Sequence, residues 1–232
     1  GIDVRSAEFV QLRRACELGE PQGCTIFGAG LSQDRSVPGK RVLKFLRMGC
    51  ERGDADGCYA LSKLQILKRV PGGDEAAFNN SYTACRMGQV QACCQTGLMF
   101  FQGVGCKPDM GKGLTVLLNT CNQLEHGLSC FQAARVVSNL ADNGVHIARG
   151  ERDGAPEGPQ KEDRDLATQQ MLRTLLRKGC AFKNEDACKH LADFEKEFPE
   201  PAGTTSEPSI SLPSSFAPTT TTPTVGAKEE HE

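Results

Sequence analysis

The chain has 232 residues, which suffices for one or two ordinary domains. Its net charge of −2 excludes bulk electrostatic attraction to nucleic acid or to acidic membranes. Apolar residues make up 38%, aromatics 6%, and Trp is absent, so the core is lean, and no apolar run approaches the ~18 residues of a membrane helix.

In chain order, helical periodicity predicts helices at about 6–18, 22–32, 39–51, 55–69, 74–87, 91–102, 109–123, 128–141, 164–180 and 185–198. Turn signals separate them: Gly19 with Pro21, Pro38-Gly39, Gly53-Asp54, Pro71-Gly72-Gly73, and Gly103 to Pro108. Apolar stripes recur at i, i+3, i+4 spacing, as in Val42, Phe45, Leu46, Cys50 and in Leu114, Leu117, Leu118, Cys121. These stripes read as core packing.

The twelve cysteines are the outstanding feature. No CxxC knuckle occurs, and four scattered His do not complete a set of zinc sites. Ten of the cysteines fall into pairs: Cys16 with Cys24, Cys50 with Cys58, Cys85 with Cys93, Cys121 with Cys130, and Cys180 with Cys188. The first members step by 34, 35, 36 and 59 residues, the last step being one repeat plus an insertion at about 142–164. In one straight helix, Cα atoms eight positions apart lie roughly 12 Å from each other. A disulfide needs about 4.4–6.8 Å. A chain that folds back at Gly88 brings Cys85 and Cys93 within reach, and the other pairs repeat that arrangement. Each pair is expected to staple one helix end to the next helix start. Regular pairs without knuckles point to an oxidising compartment.

A period near 35 with two helices per period fits a helix-turn-helix solenoid. A column of small residues, Gly28, Ser62, Gly97, Ala134 and Ala192, follows the second cysteines by four positions and predicts close helix approach. From 199 to 232 the chain turns to Pro, Ser and Thr, with too little apolar surface to order itself. That tail either stays unordered or lies extended on a partner protein, with Ile210, Leu212 and Phe216 as anchors. Cys94 and Cys106 are left over and are expected to be buried free thiols. A sixth bridge, or a redox or metal-handing pair, is the sharper alternative.

Other signals point to no reaction centre. Asp54-Ala55-Asp56-Gly57 opens like a calcium loop but places Gln65 at the twelfth position, so a helix-linking turn is expected. Gly111-Lys112-Gly113 lacks the P-loop spacing and reads as a first helical turn. Lys40, Arg41, Lys44 and Arg47 form a basic helix face, solvated or meeting an acidic partner. Glu162, Asp163 and Asp165 read as a helix cap. No hydrolase or metalloprotease motif is present, so no catalytic residue, metal site or cofactor is expected. Haem or copper ligation by His126, His146 or His190 is the one cofactor alternative.

Ala84-Cys85 with Gly88, then Cys93, Gly97, Phe100, Gly103-Val104-Gly105, Pro108-Asp109 and Lys112, resemble the repeat of the cysteine-rich Sel1-like family. The resemblance covers residues 6–198. It implies an all-α, TPR-like solenoid of helix-turn-helix repeats stapled by disulfides. Two groups share the design: mitochondrial intermembrane-space assembly factors of cytochrome c oxidase, and secreted Helicobacter cysteine-rich proteins. Repeat number and the inserted loop are more similar to the mitochondrial group. The resemblance thus implies a non-enzymatic interaction scaffold of the intermembrane space, an accessory subunit or assembly factor whose partners are protein subunits of a respiratory complex. Membrane association would come only through those partners. The alternative is a secreted or periplasmic bacterial protein that binds or hydrolyses β-lactam or cell-wall peptides.

Overall fold

A computed structural model describes residues 6–144 and 161–199, with the backbone alone for 161–165. The described residues form ten helices and no strand. These are α1 (Ala7–Glu17), α2 (Pro21–Gln33), α3 (Gly39–Glu51), α4 (Ala55–Ile66), α5 (Gly73–Arg86), α6 (Val90–Gln102), α7 (Met110–Gln123), α8 (Gly127–Asp142), α9 (Lys161–Ala181) and α10 (Glu185–Glu197). Each helix packs on the next, and α2 also touches α4, α6 touches α8, and α8 touches α10. The result is an α-solenoid of five hairpins, with even-numbered helices meeting one another along one side.

The hairpin turns repeat one local design. The backbone takes positive φ at Gly19, Gly53, Gly88, Glu125 and Lys183, once per turn. At the first turn the Gly19 N–H bonds Cys16 O and the Glu20 N–H bonds Ala15 O. The same pair of bonds recurs after Cys50, Cys85 and Cys180. Closing the end of a helix this way satisfies its orphan carbonyls and reverses the chain. Glycine meets the left-handed conformation without strain, which is why it stands at three of the five turns. The next residue begins the following helix: the side chains of Asp54, Gln89 and Asn184 accept from the N–H groups of Asp56, Ala92 and Ala187.

Two apolar clusters hold the ends of the solenoid. One gathers Phe9, Phe27, Leu31, Val42, Leu46 and Leu61; the other Leu114, Leu117, Leu118, Val137, Leu140 and Leu175. Between them the buried contacts are small or polar. Cys58, Ala84 and Ala92 form a third cluster. Ser81 Oγ lies 2.9 Å from Thr96 Oγ1, and Asn80 donates to Gln65 Oε1 at 2.8 Å. Within the middle hairpin the Cys85–Cys93 disulfide, the Ser81–Thr96 pair and the edge-to-face rings of Phe78 and Phe100, 5.0 Å apart, join α5 to α6, while Asn80 and Gln65 link it to the hairpin before.

Two boundaries differ from expectation. Helix α4 stops at Ile66 rather than 69, because Lys68 adopts φ 53° and the Arg69 N–H turns back to Leu64 O. That reversal buries Val70. Helix α9 begins at Lys161, so its first turns take up residues assigned to the insertion. The rest of the insertion between 145 and 160, including His146, lies outside the described residues, as do the tail and its anchors Ile210, Leu212 and Phe216. The side chains of Glu162, Asp163 and Asp165 do too. None of the described helices is long and apolar enough to cross a membrane.

Candidate functional site

At each hairpin turn a cysteine in the last turn of one helix faces a cysteine in the first turn of the next. Cys16–Cys24, Cys50–Cys58, Cys85–Cys93, Cys121–Cys130 and Cys180–Cys188 form five disulfides, with Cα–Cα distances of 4.4, 4.6, 4.5, 4.7 and 4.6 Å. These lie at the short end of the range a disulfide spans, so the helices cross very closely there. The close crossing constrains the residue before each cysteine. A Cβ on Gly23 would sit 2.8 Å from Ala15 Cβ, and one on Gly179 would sit 2.7 Å from Ala187 Cβ. The positions before the paired cysteines hold only Ala15, Gly23, Gly49, Gly57, Ala84, Ala92, Thr120, Ser129, Gly179 and Ala187. This second small-residue pattern is written in the sequence, one position before each paired cysteine.

The anticipated column does bring backbones together, toward the next odd helix. A Cβ on Gly28 would meet Leu46 of α3 at 2.9 Å, and one on Gly97 would meet Leu117 of α7 at 2.8 Å and Gly113 O at 3.0 Å. Ser62 and Ala134 are buried in the same column. Ala192, on the last described helix, is exposed, so the column has no packing role there.

In the first three pairs the residue after the second cysteine reaches the neighbouring staple. The Thr25 hydroxyl lies against Gly49 and Gly57, which flank Cys50–Cys58. Tyr59 packs on the cluster of Ala84 and Ala92, which precede Cys85 and Cys93. Cys94 occupies the same place one repeat later. It is 3% exposed and unbonded, and it hydrogen-bonds Ser129, the residue before Cys130. Burial pushes its thiol up from the ordinary value, so the protonated form dominates near neutral pH. Cys94 thus fills a packing position between repeats. Cys106 differs from the expectation of a buried thiol: it is only partly covered, because it sits in the loop before α7 with its Sγ 3.6 Å from Met99 O.

The remaining sequence signals take ordinary places. Asp54 is the N-cap of α4, and Gly111, Lys112 and Gly113 lie in the first turn of α7. Lys40, Arg41, Lys44 and Arg47 are all exposed on α3. His126 is the N-cap residue of α8, with Nδ1 2.8 Å from Ser129 Oγ, and burial lowers its pKa. His190 lies against Phe131, ring centroids 5.1 Å apart. Among the described residues no group of three or more His, Cys, Asp or Glu is placed to hold a metal ion.

The geometry defines a class: a solenoid of helical hairpins. No family model matches the chain. The crystal structure of a Sel1 repeat protein from Oxalobacter formigenes has the same fold, with a TM-score of 0.54 and 17% identity, over 83% of this chain and 50% of that one. A second solved structure, a protective antigen of uropathogenic Escherichia coli strains displaying an SLR fold, superposes with a TM-score of 0.47 and 18% identity, over 83% of this chain and 44% of that one. Chitin synthase regulatory factor 1 of Schizosaccharomyces pombe is 33% identical over 76 residues. That match spans 31% of this chain and 16% of the yeast protein. The fold is therefore that of Sel1 repeats, as the resemblance implied.

Proposed function

We propose that this chain is a non-enzymatic interaction scaffold of the cysteine-rich Sel1-like family, working in an oxidising compartment. The observation that carries the reading is the set of five disulfides at five successive turns. Stapled turns fix the angle within each hairpin, and a solenoid so held presents an extended, preformed surface. Disulfides at this density persist where thiols are not kept reduced. The fungal protein that shares a 76-residue stretch is named as a regulatory factor, in keeping with binding rather than turnover.

The finer reading rests on the motif resemblance. It places the chain in the mitochondrial intermembrane space beside cytochrome c oxidase assembly factor 7, serving a respiratory complex, most naturally cytochrome c oxidase, as assembly factor or accessory subunit. Tagging at endogenous level, with fractionation and identification of what co-purifies, tests it. Retention at one copy in a purified respiratory complex supports a subunit. Recovery from the cytosol with all thiols reduced overturns the compartment and the partners together. Turnover of a β-lactam would favour the secreted bacterial reading instead.

A further inference from the structure

A cavity of about 450 Å³ opens between α8, α9 and α10. Its apolar floor is formed by the half-buried Leu172 of α9 and Phe194 of α10 over the buried Phe131, Ala134 and Leu176, with Ser138, Asn139 and His190 also in the lining. Its rim is acidic, with Asp142 at the end of α8 and Asp193 and Glu197 along α10. Arg135 is the single guanidinium in the lining, and it donates to Gln132 at 3.3 Å. Lys196 pairs with Asp193 at 3.1 Å, but both side chains are more than three-quarters exposed, so solvent screens that pair strongly. Helix α10 is the last described helix, and nothing among the described residues lies over this groove.

Resting on the scaffold reading, we infer that the groove between α8 and α10 binds a protein segment whose apolar side chains are flanked by Lys or Arg. Charge complementarity selects that occupant. Three carboxylates against one guanidinium around an apolar floor attract cations at the edges and apolar groups in the middle. The chain's own stretch 208–217, which contains Ile210, Leu212 and Phe216, has no charged residue, and the chain ends in Glu229, Glu230 and Glu232. A second copy would offer the basic face of α3, but Val42 and Leu46 of that helix are buried in its own core. Neither matches the rim and floor together.

The test uses the full chain and two short labelled amphipathic peptides with the same Leu/Phe face, one with Lys on its polar face and one with Glu. Fluorescence anisotropy should show the Lys peptide binding at least about tenfold tighter, the preference fading as salt rises from about 50 mM to about 0.5 M. The pair Asp193→Lys and Glu197→Lys should reverse the preference, while Asp56→Lys, in the first turn of α4 and outside this groove, leaves it intact. Circular dichroism verifies that each variant is folded. Equal binding of both peptides, or an unchanged preference in the reversed chain, overturns the inference. So does displacement of the Lys peptide by a peptide of residues 208–217, which would make the tail the occupant. Failure here leaves the scaffold reading standing through other faces, whereas absence of any co-purifying partner counts against that reading and not against the groove.

Discussion

Replacing Cys85 and Cys93 together by alanine opens the middle staple where the flanking contacts are least apolar. Alanine leaves no hydroxyl to bury at position 93, which is 6% exposed in the folded chain. The disulfide joins residues eight apart and so closes a loop of nine. On the chain-entropy account that closure removes about 2.6 kcal/mol of unfolded-state freedom at room temperature. Its loss should raise the unfolding equilibrium constant roughly 70-fold. Urea titration followed by helical circular dichroism reads this as a lower midpoint at nearly constant slope. The pair Cys50 and Cys58 has the same separation, so its double alanine variant should lose a similar amount. A loss below about 0.5 kcal/mol would mean that the left-handed turn and its backbone bonds already hold the hairpin. Two losses differing severalfold would mean that local packing, rather than chain restriction, sets the worth of a staple. Either result refutes the reasoning.

Gly97→Ala should destabilise by about 1–3 kcal/mol, since the added carbon would press on Leu117 and on Gly113 O; thermal unfolding measures it. Lys183→Gly should stabilise by up to about 1 kcal/mol, because lysine holds φ 62° where other turns use glycine; the urea midpoint reports the gain. In the folded protein an alkylating reagent should label Cys106 well before Cys94, and Cys94 should react fully only on unfolding; mass spectrometry of the unreduced chain gives the order. Burial lowers the pKa of His126, so the unfolded chain takes up its proton first as pH falls. The stability owed to the neutral ring is full above about pH 6.5 and is lost as pH drops toward the folded value. His126→Gln should flatten the change in urea midpoint between about pH 7.5 and 5.5.

The fold class was legible in the sequence because its signals are local. Cysteines eight or nine apart, a glycine three residues past the first at three of the five pairs, and a period near 35 all describe one hairpin turn, and one turn repeated defines a solenoid. The helix bounds follow from the same turns. What needed the tertiary structure concerns contacts between repeats. Nothing near Lys68 in sequence announces that α4 must end early so that Val70 can enter the core. Cys94 reads as a spare thiol until it is placed against the staple of the next repeat. The acidic groove joins Asp142 to residues fifty positions later, across an insertion, and appears only when α10 lies beside α8. Local chemistry governs the turn, since its atoms are neighbours along the chain. The surface is assembled by stacking, which places residues from separate repeats side by side, and no periodicity records which faces remain uncovered.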